Sequence, residues 1–395
     1  MGYWEVKKLI KGFKEANVYL PGQGIVKTSI TWKDGKINEI KPEISDDLVK
    51  LPDNLFVVPG FIDKHIHGAN NSDSMYPHFE DILNIAKTIA SEGVTSFLAT
   101  TMTQSEENIT NALIALREYI EKDPKEGAQV LGIHLEGPFI NPKYKGAQLE
   151  SCIVKCDLET FKRYEEASGN HIMQVTLAYE QDGKELVEYL ASKGIVASLG
   201  HTNATSAQVK EAAEKGATSV THVYNAMSPL HHREAGVVGG AFVTDSLYCE
   251  LIADLVHVCA DAIDILFRCK GKDKVVLVTD GIEAKHLDDG VYSLGGQEVF
   301  VNNGVARLQS GALAGSTLKL NEGIRNILSI LPRLSFTDAI DLATINPARN
   351  LGVDHYKGMI KEGYDADLVV IDKDINVYMT INRGNIVYKK DTFDL

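Results

Sequence analysis

His65 and His67 close the segment FVVPGFIDKHIHG, residues 56–68, and their spacing is the first chemical signal in the chain. The run before them (Phe56, Val57, Val58, Ile62) is apolar and largely β-branched, and reads as a buried strand. Alternate residues of a strand face the same way, so the two imidazoles point together and can hold one divalent ion. The competing reading is a polar turn after a core strand. Downstream, other apolar runs end in comparable groups: His134 and Glu136 in QVLGIHLEGPF, His201 in IVASLGHTNAT, His222 and Asn225 in TSVTHVYNAM, Asp254 and His257 in CELIADLVHV, and Asp280 in KVVLVTDGIEA. Imidazole nitrogen and carboxylate oxygen without thiolate suit a hard-to-borderline divalent ion. Glu136, His201 and His222 make one three-ligand set with an open position. His65 and His67 make a second, with Glu136 as the bridge. A divalent ion lowers the pKa of water to about 7. Asp280 is then placed to take that proton and pass it to a leaving amine. A helix N-cap at a βα turn is the competing role for Asp280.

The elements that would position these groups follow from the pattern of apolar runs. Eight candidates are Phe56–Ile62, Val94–Ala99, Gln129–Leu135, Ile172–Ala178, Ile195–Leu199, Thr218–Thr221, Cys249–Ala253 and Lys274–Val278, mostly separated by helical patterns. Gly93, Gly194 and Gly216 stand where helices end before the next strand. Thr205 with Gln208 reads as a capping box, and Asp182 with Glu185 resembles one. Eight βα units predict a (β/α)8 TIM barrel, whose strand C-termini converge on one mouth. An open doubly wound sheet is the alternative, weakened by the lack of a glycine-rich phosphate fingerprint after the first strand. Both ends of the chain are β-rich. From about Tyr3 to Leu55 the pattern is short alternating strands, with Asp34-Gly35 as a hairpin turn; Arg383-Gly384-Asn385 is its counterpart near the C-terminus. These ends predict a small β-sandwich-like domain from residues 1–55 plus 359–395, with the barrel over 56–358. The segment Ile282–Leu313 reads as a β-hairpin excursion, followed by helices over Leu318–Leu331 and Phe336–Ala343.

The chain has 395 residues, 44% hydrophobic and 24% charged, with a formal net charge of −14. That charge argues against nucleic acid or an acidic membrane surface as partner, so an anionic ligand must be held by local cations. The N-terminal stretch mixes charges into its apolar residues and has no signal-peptide core. Val6 stands where N-myristoylation after Met1-Gly2 calls for Ser or Thr. No apolar run of about 18 residues is present. The five cysteines, Cys152, Cys156, Cys249, Cys259 and Cys269, are an odd number and read as free thiols in a reducing cytoplasm. Cys152 and Cys156 lack a second pair to complete a zinc knuckle and read as structural.

The segments PGFIDKHIHG, HLEGPFINPKYKGAQ, LGHTNA, THVYNAMSPLHHREAGVVGGAF, VTDGIEA and LAGST occur in order from about Val58 to Gly352. Together they strongly resemble the N-acetylglucosamine-6-phosphate deacetylase family of the amidohydrolase superfamily. HLEGPF and THVYNAM are specific to that family; the HxH pair and the TDG triplet mark only the superfamily. The resemblance implies hydrolysis of N-acetylglucosamine 6-phosphate to glucosamine 6-phosphate and acetate. It makes Glu136, His201 and His222 metal ligands and Asp280 the acid/base. Ala147 and Gln148 match a substrate-contacting pair, with histidine in place of Gln148 in some relatives. Asn225, Ala226 and Arg233 match groups holding the sugar phosphate, which a guanidinium grips through paired donors. His257 matches another substrate contact, and Leu313, Ala314 and Gly315 the loop that closes over it. His231 and His232 either assist Arg233 or form a solvated loop. The HxH pair is kept, so one or two ions per subunit are implied, with zinc first and Fe2+, Mn2+ or Co2+ as alternatives. In this family the arginine can reach a neighbouring subunit's site, which implies a homodimer. The competing functions are the galactosamine epimer, a cyclic-amide hydrolase or deaminase, and a scaffold without chemistry. The second is disfavoured because Glu136 takes the bridging place that a carboxylated lysine holds in many such hydrolases, with Lys143 and Lys145 only in the following loop. The third predicts missing ligands, and none is missing.

Overall fold

The computed structural model describes residues 11–44 and 48–393, so the expected β pattern before residue 11 lies outside the described residues. Eight strands form the central sheet: β1 (Phe61–Ile66), β2 (Val94–Thr100), β3 (Gln129–Glu136), β4 (Ile172–Leu177), β5 (Val196–Leu199), β6 (Ser219–Val220), β7 (Tyr248–Ile252) and β8 (Val275–Val278). Each pairs in parallel with its sequence neighbour. The seam between β1 and β8 is stitched near their C-terminal ends. Ile66 bridges to Gly281, and the Asp280 N–H donates to the His65 carbonyl at 2.8 Å. The Thr279 hydroxyl donates to the buried Asp63 carboxylate at 2.6 Å. This is the expected (β/α)8 barrel, and it excludes the open sheet.

The strands read as apolar runs because helices cover the outside of the ring and side chains fill the inside. The helix Phe79–Ala90 is representative: Ile82, Ile85, Ala86 and Ile89 recur at helical spacing and are buried. Gly93, Gly194 and Gly216 all adopt positive φ after their helices. Both halves of the Thr205–Gln208 capping box are formed. Asp182 does not cap. Gly183 is the N-cap of Lys184–Ser192 without a side-chain bond, and Asp182 pairs with Lys155 at 2.8 Å instead.

The expected strand Phe56–Ile62 is two strands. Phe56–Pro59 belongs to the small sheet, pairing with Gly12–Leu20 and Leu368–Ile371, and β1 starts after Gly60. The chain changes sheets there because Gly60 lies against β2. A Cβ on it would come 2.1 Å from Thr95 Oγ1. We therefore propose the domain division at Gly60 rather than after Leu55. The small domain is an eight-stranded sheet from both ends of the chain, with its own core around Phe13, Trp32, Val57, Leu368 and Ile381. Both expected hairpins are present, each turning through two residues of positive φ, Asp34-Gly35 and Arg383-Gly384.

After β8 comes a three-stranded antiparallel insert, Gly290–Leu294, Gln297–Asn302 and Val305–Leu308. Its core of Leu294, Val299 and Ala306 includes Met102 and Ala147 from barrel loops, so the insert leans over the mouth. Helices Leu320–Ile330 and Phe336–Asp341 follow as expected, and a further one, Ile345–Asn350, was not anticipated.

Candidate metal centre and active site

Glu136 is the last residue of β3, and His201, His222 and Asp280 each lie two residues beyond the end of β5, β6 and β8. All three of these adopt positive φ, at 47°, 30° and 50°. Non-glycine residues seldom occupy this region, and such strain clusters at functional sites. Here the turn swings each side chain back into the mouth.

The result is a knot of four imidazoles and two carboxylates. Glu136 Oε1 lies 3.4 Å from His65 Nε2 and 3.3 Å from both His201 Nε2 and His222 Nε2. Its Oε2 lies 3.2 Å from His67 Nε2. Asp280 Oδ1 lies 3.4 Å from His65 Nε2 and 3.1 Å from His67 Nε2. Two groups of potential ligands result: His65, His67 and Asp280, and Glu136, His201 and His222.

The far ring nitrogens decide what the near ones can do. His67 Nδ1 faces the Thr100 carbonyl at 3.2 Å, His201 Nδ1 the Tyr144 carbonyl at 2.8 Å, and His65 Nδ1 the Glu250 carboxylate at 3.0 Å. Those oxygens only accept, so each Nδ1 carries a proton and Nε2 is the nitrogen each ring turns inward, as a lone pair whenever the ring is neutral. His201 Nε2 and His222 Nε2 then stand 3.1 Å apart. His65 Nε2 and Glu136 Oε1 are buried without a hydrogen-bond partner. Converging lone pairs and carboxylate oxygens demand positive charge, and the donor set fits a divalent ion. When no ion meets that demand, protons on the rings do, and the titrations follow it. Burial alone would lower His67, but the Asp280 and Glu136 carboxylates outweigh it and push the ring up to about 9. Burial alone would raise Asp280, yet His65 and His67 hold it below the usual carboxylate range. Glu136 is held well below that range by His65, His201 and His222 against the same penalty.

A cavity of about 290 Å³ opens over the knot. His67, Glu136, His201, His222 and Asp280 form its floor; Ala147, Gln148, Asn225, Ala226, His257, Leu313 and Gly315 are in its walls. His65 sits behind the floor, fully buried. Ala314 is buried in the core of the insert and is not part of the wall. Arg233 is exposed outside the cavity, its Nη1 2.8 Å from His232 Nε2. Gln148 is held at both ends, accepting from the Thr103 N–H at 2.8 Å and donating to Glu136 Oε2 at 3.0 Å. Asp254 accepts from His257 Nδ1 at 2.6 Å and aims that ring. His134 is a core histidine whose ring packs against His65, with Nε2 2.7 Å from the Thr176 hydroxyl.

Sequence reasoning missed the groups that act from behind or through the backbone. The Thr100 and Tyr144 carbonyls have no residue-type signature. Met102, just beyond β2, carries no polar group to mark it, and Leu294 enters the cavity because the insert folds over it. Glu250 did leave a signal, a lone carboxylate inside the apolar run of β7.

The amidohydrolase family model matches residues 56–387. The chain belongs to the amidohydrolase family. This amidohydrolase is 44% identical to the N-acetylglucosamine-6-phosphate deacetylase of Bacillus subtilis (strain 168) over 362 residues, covering 90% of this chain and 91% of that protein. It is 35% identical to an N-acetylgalactosamine-6-phosphate deacetylase of Escherichia coli O157:H7 over 355 residues, covering 89% and 93%. Among solved structures it resembles a mutant of the Mycobacterium smegmatis N-acetyl-D-glucosamine-6-phosphate deacetylase in complex with N-acetyl-D-glucosamine-6-phosphate. The TM-score is 0.89 at 28% identity, covering 96% of this chain and 99% of that one.

Proposed function

We propose that this amidohydrolase is a metal-dependent deacetylase that hydrolyses N-acetyl-D-glucosamine 6-phosphate to D-glucosamine 6-phosphate and acetate, in the breakdown or recycling of amino sugars. The observation that carries the reading is the Glu136 carboxylate, within 3.4 Å of four histidine Nε2 atoms at the floor of a sugar-sized cavity. Glu136, His201 and His222 would hold one ion, and His65 and His67 a second, with zinc as the first expectation. When bound, a divalent ion supplies Lewis acidity that polarises an amide carbonyl and acidifies water.

The chain supplies the remaining work. Asp280 is kept as a carboxylate, so it accepts a proton at Oδ1 and delivers it to the leaving amine, which is a poor leaving group until protonated. Gln148 has its amide oriented by Thr103 and stands at the acetyl end. Asn225, Ala226 and His257 line the sugar side, and Leu313 and Gly315 the cover. Arg233 is exposed and does not line its own cavity, which supports its action on the phosphate in a neighbouring subunit, and hence a homodimer. A cyclic-amide hydrolase with a lysine bridge has no support: Lys143 is exposed, its Nζ 3.1 Å from Asn203 Oδ1.

The test is acetate release from the two epimeric 6-phosphates by protein stripped with a chelator and then reloaded. Activity should vanish on stripping, return with a divalent ion and favour the gluco epimer. Faster turnover of the galacto epimer would move the assignment to that sugar, and no acetate from either would remove it.

A further inference from the structure

We infer that Glu250 is a positioning residue for the metal centre, setting the His65 ring and the His222 backbone from behind through one carboxylate. The inference rests on the metal-dependent reading above. Glu250 lies on β7, opposite the cavity side of the ligands, and is 0% exposed. Its Oε2 accepts from His65 Nδ1 at 3.0 Å and from the His222 N–H at 3.3 Å. Its Oε1 accepts from Gln174 Nε2 at 2.7 Å and lies 3.1 Å from Lys64 Nζ. Lys64 is equally buried and also donates to Ser219 Oγ at 3.2 Å and to Asn350 Oδ1.

One side chain on β7 thus grips β1, β4 and the end of β6. His65 belongs to one ligand group and His222 to the other, and a single oxygen accepts from both. Because a carboxylate only accepts, it fixes the proton on His65 Nδ1 and leaves Nε2 free toward Glu136 and Asp280. A buried ion pair adds little stability over an apolar pair of the same size. Stability alone therefore does not account for Lys64 and Glu250 in the barrel core, whereas orienting the ligands does.

Two double variants separate the acceptor from the charges. Lys64→Met with Glu250→Leu removes both charges and the acceptor for His65. Lys64→Met with Glu250→Gln removes both charges but keeps an acceptor. Its amide oxygen can face His65 Nδ1 while its NH2 turns to Gln174 Oε1, which is buried without a partner in the wild type. The readouts on the full chain are zinc stoichiometry after dialysis, zinc affinity by chelator competition, and apoprotein Tm. The Met/Gln pair should bind zinc within about threefold of wild type, and the Met/Leu pair about 10–100-fold more weakly, as when a histidine ligand loses its outer partner. The loss should be larger for the equivalent held through His65, whose ring loses its outer acceptor, than for the one held through His222, which loses a backbone contact. Equal zinc affinity in the two doubles would overturn the inference. Should a double variant fail to fold, the 15N-histidine spectrum of zinc-loaded wild type decides. There the His65 signal must be that of the Nδ1–H tautomer, and a proton on Nε2 would overturn the assignment. A wild-type chain that takes up no divalent ion would instead sink the metal-dependent reading itself.

Discussion

Asp280 illustrates how much a single residue's neighbours decide. Its position after an apolar run was compatible with a helix cap, but in the fold its carboxylate faces His65 and His67 and stays ionised. Asp280→Asn keeps the shape and removes the proton acceptor. Its kcat should fall about 10²–10⁴-fold, the usual share of general acid–base catalysis, with KM and Tm nearly unchanged. Acetate-release kinetics and a thermal melt check this, and full turnover by the variant would strip Asp280 of its role. At this scale the candidate ligands facing the cavity were legible, because imidazole and carboxylate at several strand ends is an improbable coincidence. The residues behind them were not. Thr100 and Tyr144 act through carbonyls that every residue has, and Glu250 matters only because β1, β4 and β6 come within its reach.

Among the secondary-structure elements, apolar runs were enough to locate all eight strands of the barrel, since a strand covered on both faces has few polar residues. Their ends were harder to read. The break at Gly60 depends on Thr95 pressing from the next strand, a contact far away in sequence. The small sheet carries a further buried device. Lys357, almost fully buried, lies 2.8 Å from Asp365 and 2.6 Å from Asp367, and Asp365 also pairs with Lys36 of the N-terminal hairpin. Lys357→Met leaves the buried Asp367 carboxylate without its cation and Asp365 with Lys36 alone, and should cost about 3–5 kcal/mol. The pH dependence follows from the shifts. Burial would raise Asp365, but Lys357 and Lys36 hold it below its ordinary 3.8, so its contribution is present above that value and lost as the pH falls through the depressed one. Burial would lower Lys357, but Asp367 and Asp365 raise it above 10.5, so its share persists until the pH climbs past that. The Tm gap between wild type and variant should be widest near neutral pH and narrow below pH 3.8. A gap independent of pH would contradict the ion-pair account.

For the molecule as a whole, the question is where the phosphate meets its cation. The chain carries a net charge of −14, and Arg233 stands outside the cavity of its own barrel. If Arg233 completes a neighbour's site, subunits of Arg233→Ala and Asp280→Asn are each inactive but repair one another when mixed. Each mixed dimer regains one intact site, so equal mixing should restore about a quarter of wild-type activity in a twofold-symmetric dimer. No recovery after subunit exchange, verified by mass spectrometry of the dimers, would place the arginine's action within its own chain.

The sequence alone determined the barrel, the β-rich ends and the candidate ligands that meet at its mouth, because burial periodicity and residue chemistry are written locally. Only the tertiary structure decided which ring nitrogen of His65, His67 and His201 faces inward, the Lys64–Glu250 support behind them and the placement of Arg233 outside the cavity of its own chain. Those depend on distances between segments up to 286 residues apart, as between Lys64 and Asn350, and no local pattern encodes them.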